Sequence, residues 1–332
     1  METKVYKVTK EGLAVATQTI LRGGLVAFPT ETVYGLGSDA RSSDAVREIY
    51  KVKGRPSDNP LIVHVHKDYD LTELVSFVPE YAKKLAKAFL PGPLTMVYPS
   101  KGVVAAEVSC GLDTLAVRVP SHEGAQAFLR AAGIPLAAPS ANLSRHVSPT
   151  SAQHVYDDLQ GKIPVILDGG ACDGGIESTV LDVTGAVPRI LRAGLVTAEQ
   201  IASVVGRCEY AQHLPTDKVR SPGVKYKHYA PRAETMLFGV DQIQNAVETY
   251  DRVVKSGKTA VLMALENLKS TANNRNFISL GRSAEDAANR LYAALREAEA
   301  YDVVIGVAIE ESGAGVGVMN RMNKAFGKGE SQ

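Results

Sequence analysis

Eight short apolar runs recur through the first two hundred residues, at 25–28, 61–65, 94–98, 115–119, 135–138, 165–167, 179–183 and 189–191. Runs of that length read as buried strands, and helical patterns fall between several of them. Residues 44–52 form the clearest early helix: Val46, Ile49 and Tyr50 share one face, Ser42 or Ser43 can cap its start, and Gly54 and Pro56 stop it. That helix delivers Lys53 and Arg55 to the loop that follows. Further helices fit 81–89, 125–132, 152–159 and 198–205. Strands outnumber helices, which favours a twisted mixed α/β sheet over a strictly alternating parallel one.

Periodicity disappears from about Gly206 to Ala233, where Pro215, Pro222, Gly223 and Pro231 stand among polar residues. A new α/β pattern follows, with strands at 235–238, 260–264 and 303–309, helices near 243–255 and 284–300, and a glycine-rich turn into a helix at 319–326. The expected organisation is a larger mixed-sheet domain at 1–206, a linker at 207–233, and a smaller Rossmann-like three-layer domain at 234–332.

Lys and Arg number 37 against 36 Asp and Glu, a formal net charge of +1. No global basic field advertises a nucleic-acid coat or a membrane surface, so any anion site must be local and stable direct nucleic-acid binding is not expected. No apolar run is long enough to span a bilayer and no leader pattern opens the chain, which implies an unexported, cytoplasmic protein. Cys110, Cys172 and Cys208 lie far apart without Cys-x-x-Cys or Cys/His spacing, so they read as structural thiols and neither zinc nor a disulfide framework is expected.

Several segments can carry chemistry. Pro29-Thr-Glu-Thr-Val-Tyr-Gly-Leu-Gly37 leaves a strand and packs hydroxyls, a carboxylate and two glycines into a turn, a suitable ligand floor. Lys53-Gly-Arg55-Pro-Ser-Asp-Asn59-Pro joins two cations to a glycine and two prolines, which suits a polyphosphate. Arg118 ends an apolar strand, where a guanidinium can grip a carboxylate with two prongs. Ala138-Pro-Ser140-Ala-Asn142 and Ser148-Pro-Thr150 bring hydroxyls and helix amides that can hold phosphate oxygens. Taken singly, each segment also admits a structural reading, as turn, cap, solvated loop or core histidine. The run at 168–179 has the Walker A glycine spacing at Gly169 and Gly174, but Gly175 and Ile176 stand where Lys and Ser/Thr are required, so it is not a P-loop. No Gly-x-Ser-x-Gly elbow or His-Glu-x-x-His helix is present. Gly313-x-Gly315-x-Gly317 is a weak dinucleotide signal only.

Together, Pro-Thr-Glu-Thr-Val-Tyr-Gly-Leu, Lys53-x-Arg55, Ser140-x-Asn142 and Glu-Ser-Thr179 resemble the YrdC-like threonylcarbamoyl-AMP synthases. The likeness runs from about Val15 to Val205. Ser221-Pro-Gly-Val-Lys-Tyr-Lys-His-Tyr-Ala-Pro231 and Gly313-Ala-Gly-Val-Gly-Val-Met-Asn-Arg321 resemble the long form, which carries an extra C-terminal domain. The resemblance implies a YrdC-like catalytic domain that makes threonylcarbamoyl-AMP and pyrophosphate from L-threonine, bicarbonate and ATP, with Mg2+ arriving on ATP and no metal site of the protein's own. It implies transfer of the product to a tRNA threonylcarbamoyl transferase. It assigns Lys53, Arg55, Asn59, Thr114, Ser140, Asn142, Ser148, Arg192 and Tyr229 to ATP, with Lys53 and Arg55 catalytic, and Thr32, His64, Arg118, Ala138 and Ser178 to threonine. The linker around Tyr229 is then a lid over ATP. Ala138 can offer only its backbone, and Arg145 stands where relatives often have glycine. Two other readings are an RNA-binding module using the same cleft and a carbamoyltransfer domain using carbamoyl phosphate.

Overall fold

The computed structural model describes residues 1–211 and 231–327, and Tyr229 and most of the Pro-rich linker lie outside them. The chain divides into two units. One holds Met1–Ser144, Pro149–Asp173 and residues 177–211; the other holds 231–327 with two short excursions, Arg145–Ser148 and Gly174–Ile176.

The first unit opens with β1 (Lys4–Lys7), α1 (Lys10–Leu21), β2 (Val26–Phe28), β3 (Gly35–Asp39), α2 (Ser43–Lys53) and β4 (Ile62–His64). It continues with α3 (Glu80–Phe89), β5 (Leu94–Pro99), α4 (Ala106–Ser109), β6 (Thr114–Arg118), α5 (Glu123–Ala132), β7 (Leu136–Ala137) and α6 (Ala152–Leu159). It closes with β8 (Val165–Asp168), β9 (Thr179–Asp182), β10 (Arg189–Arg192), α7 (Ala198–Val205) and β11 (Glu209–Tyr210). The strands form one sheet in the order β1-β8-β2-β3-β7-β4-β6-β5-β9-β10-β11. Its ladders mix parallel pairs, such as β4 with β6 and β5 with β9, with antiparallel pairs, such as β5 with β6. The mixed α/β sheet is as expected.

Strand register decides where the site can lie. Residues paired across neighbouring strands point to the same face, and the face alternates along each strand. Val63, Leu115, Val117, Met96, Tyr98 and Leu181 fall on one face and join the main core with residues of α2, α3, α6 and α7. On the other face, α1 and α5 cover Val26, Phe28, Leu136, Ala138, Val165 and Leu167. Where β4, β6, β5 and β9 present that second face, the apolar cluster is small: Ile62, Val97, Ala116 and Val180, with Leu191 against it and no helix residue among them.

The second unit contains β12 (Glu234–Phe238), α8 (Ile243–Lys255), β13 (Ala260–Ala264), α9 (Lys269–Ala272), β14 (Phe277–Ser279), α10 (Ala284–Glu297), β15 (Val303–Val307) and α11 (Ala314–Ala325). Its sheet is parallel throughout, in the order β12-β15-β13-β14. Strands β13 and β15 are buried along their whole length, as befits a sheet packed on both faces.

Three details differ from expectation. Lys53 is the last residue of α2 rather than part of the following loop, because the chain leaves the helix only at Gly54, which takes φ 59°. Gly315 and Gly317 lie inside α11 rather than in a turn before it; a β-carbon on Gly315 would sit 2.0 Å from the Glu310 carbonyl oxygen, so the glycine permits close packing. Strand β11 extends the first sheet beyond Gly206, pairing with β10. Among the described residues no helix is long and apolar enough to cross a membrane, and none of the three cysteines is in a disulfide.

Candidate active site

One polar row is set by the ladders. His64 pairs with Arg118, Arg118 with Thr95, and Thr95 with Val180, which in turn pairs with Arg192. All lie on the face that carries the small apolar cluster. His64 and Arg118 are each 4% exposed and Thr95 is fully buried. Thr95 Oγ1 lies 2.8 Å from Ser178 Oγ, and Arg192 donates to the Ser178 carbonyl through Nη2 at 2.9 Å and Nε at 3.2 Å. Gly194 makes this fit possible, since a β-carbon there would come within 2.4 Å of the Thr179 amide nitrogen. His64 donates from Nδ1 to the Ile62 carbonyl, 3.2 Å away. Burial, and then the charge of Arg118, push its pKa down to about 3, so the ring is neutral at physiological pH.

The loop after β2 meets this row. Thr30 Oγ1 receives the amides of Thr32 and Val33 and donates to the Val33 carbonyl at 2.6 Å, locking a tight turn. Thr32 is fully buried, and its Oγ1 is 2.9 Å from that of Thr30. Glu31 brings Oε1 to 2.8 Å from Arg118 Nη2, yet neither atom is hydrogen-bonded. The separation establishes a charge pair, and the missing hydrogen bond means the groups meet off the line a strong bond requires. Ala138, bridged to β4, uses its amide on the Ile62 carbonyl at 2.9 Å, which leaves only its carbonyl for a ligand.

The residues expected to hold a nucleotide divide differently. Thr114 starts β6 and Arg118 ends it, on one face and about 13 Å apart at the usual strand rise. Arg55 donates to the carbonyls of Asn59 and Pro60, each at 3.3 Å. Asn59 is 1% exposed, and both polar atoms of its amide lack a hydrogen bond, the mark of a group that takes its partner from elsewhere. Tyr50 holds that loop by donating toward the carbonyls of Asn59 and Glu107.

Lys53 is buried, and its ammonium reaches the Ser140 carbonyl at 2.5 Å, the Asn142 carbonyl, and Asn142 Oδ1 at 3.3 Å. Three acceptors require the ammonium, because a neutral amine has two N–H groups. Burial, then the charge of Arg55, hold its pKa well below the ordinary lysine value, with Asp158 opposing. Its backbone carbonyl accepts from Ser144 as well, so Lys53 clamps the loop at 140–144. Within that loop Ser140 Oγ donates to Asn142 Oδ1 at 2.6 Å. Tyr34 ties the loops together: its amide donates to Pro149, its carbonyl accepts from Ala141, and its hydroxyl donates to Gly170 at 2.7 Å.

Thr32, His64, Arg118, Ala138, Ser178 and Arg192 are therefore brought to one region, while Lys53, Ser140 and Asn142 form a second cluster and Arg55 and Asn59 a third. Ser148 is fully buried but falls in the Arg145–Ser148 excursion. Tyr229 lies outside the described residues. Two residues given no role from sequence, Glu31 and Thr95, join the polar row. Glu31 stood in the first motif as a carboxylate between two threonines; Thr95 had no signal beyond being polar in an apolar strand.

Known proteins resemble this chain along nearly its whole length. The family model described as telomere recombination, that of the Sua5, YciO and YrdC proteins, matches residues 18–194. A second model, described as the threonylcarbamoyl-AMP synthase C-terminal domain, matches residues 196–327. The threonylcarbamoyl-AMP synthase of Pyrococcus abyssi is 42% identical over 322 residues, covering 95% of this chain and 94% of that protein. The Bacillus subtilis protein of the same name is 42% identical over 324 residues, covering 95% and 93%. The crystal structure of Pyrococcus abyssi Sua5 complexed with L-threonine matches with a TM-score of 0.90 at 40% identity, over 98% of this chain and 97% of that one. The chain therefore belongs to the Sua5/YciO/YrdC family, in the form that carries the threonylcarbamoyl-AMP synthase C-terminal domain.

Proposed function

We propose that this chain is a threonylcarbamoyl-AMP synthase, a nucleotidyltransferase that converts L-threonine, bicarbonate and ATP into threonylcarbamoyl-AMP and pyrophosphate. Its product supplies a tRNA threonylcarbamoyl transferase, which makes threonylcarbamoyladenosine next to the anticodon, and the reading sets the protein in the cytoplasm. The observation that carries it is the buried polar row of His64, Arg118, Thr95 and Ser178 beside Thr32, in a chain alike end to end to synthases of that name.

In this reading Arg118 takes the threonine carboxylate, and Thr32 and the neutral His64 meet its side-chain hydroxyl, with Ser178 and the Ala138 carbonyl completing the pocket. The threonine amine and bicarbonate give a carbamate and water. A carbamate oxygen then attacks the α-phosphorus of ATP, and the bond to the pyrophosphate oxygen breaks. No nucleophilic side chain is needed; the protein aligns the reactants and stabilises developing charge. Arg55, Asn59, Thr114, Ser140, Asn142, Ser148 and Arg192 hold the nucleotide, and Lys53 supports it by fixing the 140–144 loop and adding its charge from behind. In this reading the amino acid and the adenylate lie end to end along the strand face that carries Arg118 and Thr114. Mg2+ would arrive with ATP, a hard cation suited to phosphate oxygens and water. When bound it neutralises phosphate charge. Tyr229 is assigned to the nucleotide as part of a closing linker.

Exchange of radiolabelled pyrophosphate into ATP tests the reaction class. Exchange that needs both threonine and bicarbonate supports the adenylate; exchange with carbamoyl phosphate alone would favour carbamoyl transfer instead.

A further inference from the structure

Glu31 is 9% exposed and Arg118 4%, so two opposite charges face one another inside the first unit with Nη2 and Oε1 2.8 Å apart. Neither is satisfied. Both carboxylate oxygens of Glu31, and Nε and Nη2 of Arg118, lack a hydrogen bond. Taking a carboxylate and a guanidinium out of water costs more than one misaligned contact returns. The turn locked by Thr30 also denies Glu31 an easy retreat, because the amides of the next two residues are tied to Thr30 Oγ1. A buried pair of this kind is complementary to a species that carries both charged groups on one carbon. An α-amino acid is such a species, offering a carboxylate to Arg118 and an ammonium to Glu31.

We infer that Glu31 receives the α-ammonium of threonine and takes the proton the amine must lose before it can become a carbamate. The inference rests on the proposed synthase reaction. One N–H bond breaks and its proton passes to a Glu31 oxygen. The freed lone pair forms a C–N bond to the bicarbonate carbon, the bond from that carbon to its hydroxyl breaks, and the hydroxide leaves as water with a second proton from nitrogen. The carbamate retains one negative charge on the oxygens that attack phosphorus, and the proton on Glu31 returns to solvent. Arg118 alone would bind any carboxylate. Glu31 makes the pocket select the zwitterion and puts a base beside the nitrogen.

The test compares L-threonine with 3-hydroxybutanoate, which keeps the carboxylate, hydroxyl and methyl group but lacks the amine, by titration calorimetry on the full chain. The wild type should prefer threonine at least 100-fold. Glu31→Gln should cut that preference at least tenfold while binding 3-hydroxybutanoate within threefold of wild type. Glu31→Asp, which keeps the charge if the amide variant folds poorly, should retain most of the preference and lose turnover. Pyrophosphate release by Glu31→Gln should also rise with pH between 7 and 9 more steeply than wild type, as solution supplies the free amine. Equal weakening of both ligands would reduce Glu31 to a structural partner of Arg118 and overturn the inference, as would an undiminished preference. A wild type that shows the Glu31-dependent preference but releases no pyrophosphate would overturn the synthase reading and the proton step with it, leaving the ammonium contact standing.

Discussion

Replacing Lys53 by methionine should loosen the 140–144 loop before it changes anything else. The ammonium donates to two backbone carbonyls and one side-chain oxygen. Asn142 Oδ1 keeps the Ser140 hydroxyl as a donor, so the loss falls on the carbonyls of Ser140 and Asn142. Each lost hydrogen bond from the charged donor is worth about 1.5–3 kcal/mol. Removing a buried charge offsets part of that sum, which leaves a net local loss of about 3 kcal/mol. At about 1.4 kcal/mol per factor of ten, amides in the loop should exchange with deuterium about a hundredfold faster. Ala141 and Ser144, whose amides bond to the Tyr34 and Lys53 carbonyls, are the reporters. Mass spectrometry of a peptide spanning 139–145, with the β1–β8 pair as an internal control, reads the effect. Unchanged exchange in the loop would refute the clamp, and Lys53 would then act on the nucleotide directly.

His64 gives a pH dependence. Its pKa is about 3 in the folded chain against an ordinary 6.5, so between those values the unfolded state binds more protons, and stability rises with pH. The contribution is complete above pH 6.5 and falls by about 1.4 kcal/mol per pH unit on acidification toward 3; in His64→Gln the unfolding midpoint of the first unit should depend less on pH across that window. Arg145 sits at φ 76°, where a side chain costs about 1 kcal/mol, so Arg145→Gly should raise the unfolding midpoint slightly; a lowered midpoint would mean that the side chain's contacts outweigh the strain.

How much was legible follows from how local each signal was. Strands β4, β5, β6 and β9 stood out because they are apolar along nearly their whole length, as strands buried on both faces must be. Strand β3 did not, because Gly35-Leu-Gly-Ser-Asp39 reads as a turn; its glycines are dictated by Phe28, whose ring would lie 3.2 and 3.0 Å from β-carbons at Gly35 and Gly37. Helix α1 was hidden by Gly12, needed because a β-carbon there would fall 2.2 Å from the Lys7 carbonyl oxygen. Edge strands β1 and β11 are largely exposed and carry little apolar pattern. The same limit applied at the site. Arg118 was conspicuous as a cation ending an apolar strand, but the Glu31 partnership joins residues far apart in sequence and appears only once β2 and β6 share a sheet. Lys53 was found for its charge, whereas its three oxygen partners depend on where the chain at 140–142 returns.

The account's central claim is the reaction itself. Purified protein should be incubated with ATP, Mg2+, L-threonine and 13C-bicarbonate, with each component omitted in turn, and the products resolved by mass spectrometry. The account predicts an adenylate that carries one 13C and one threonine, formed with pyrophosphate and only when all three substrates are present. ATP bound but unconsumed under those conditions, or ATP cleaved without a 13C-labelled adenylate, would contradict it.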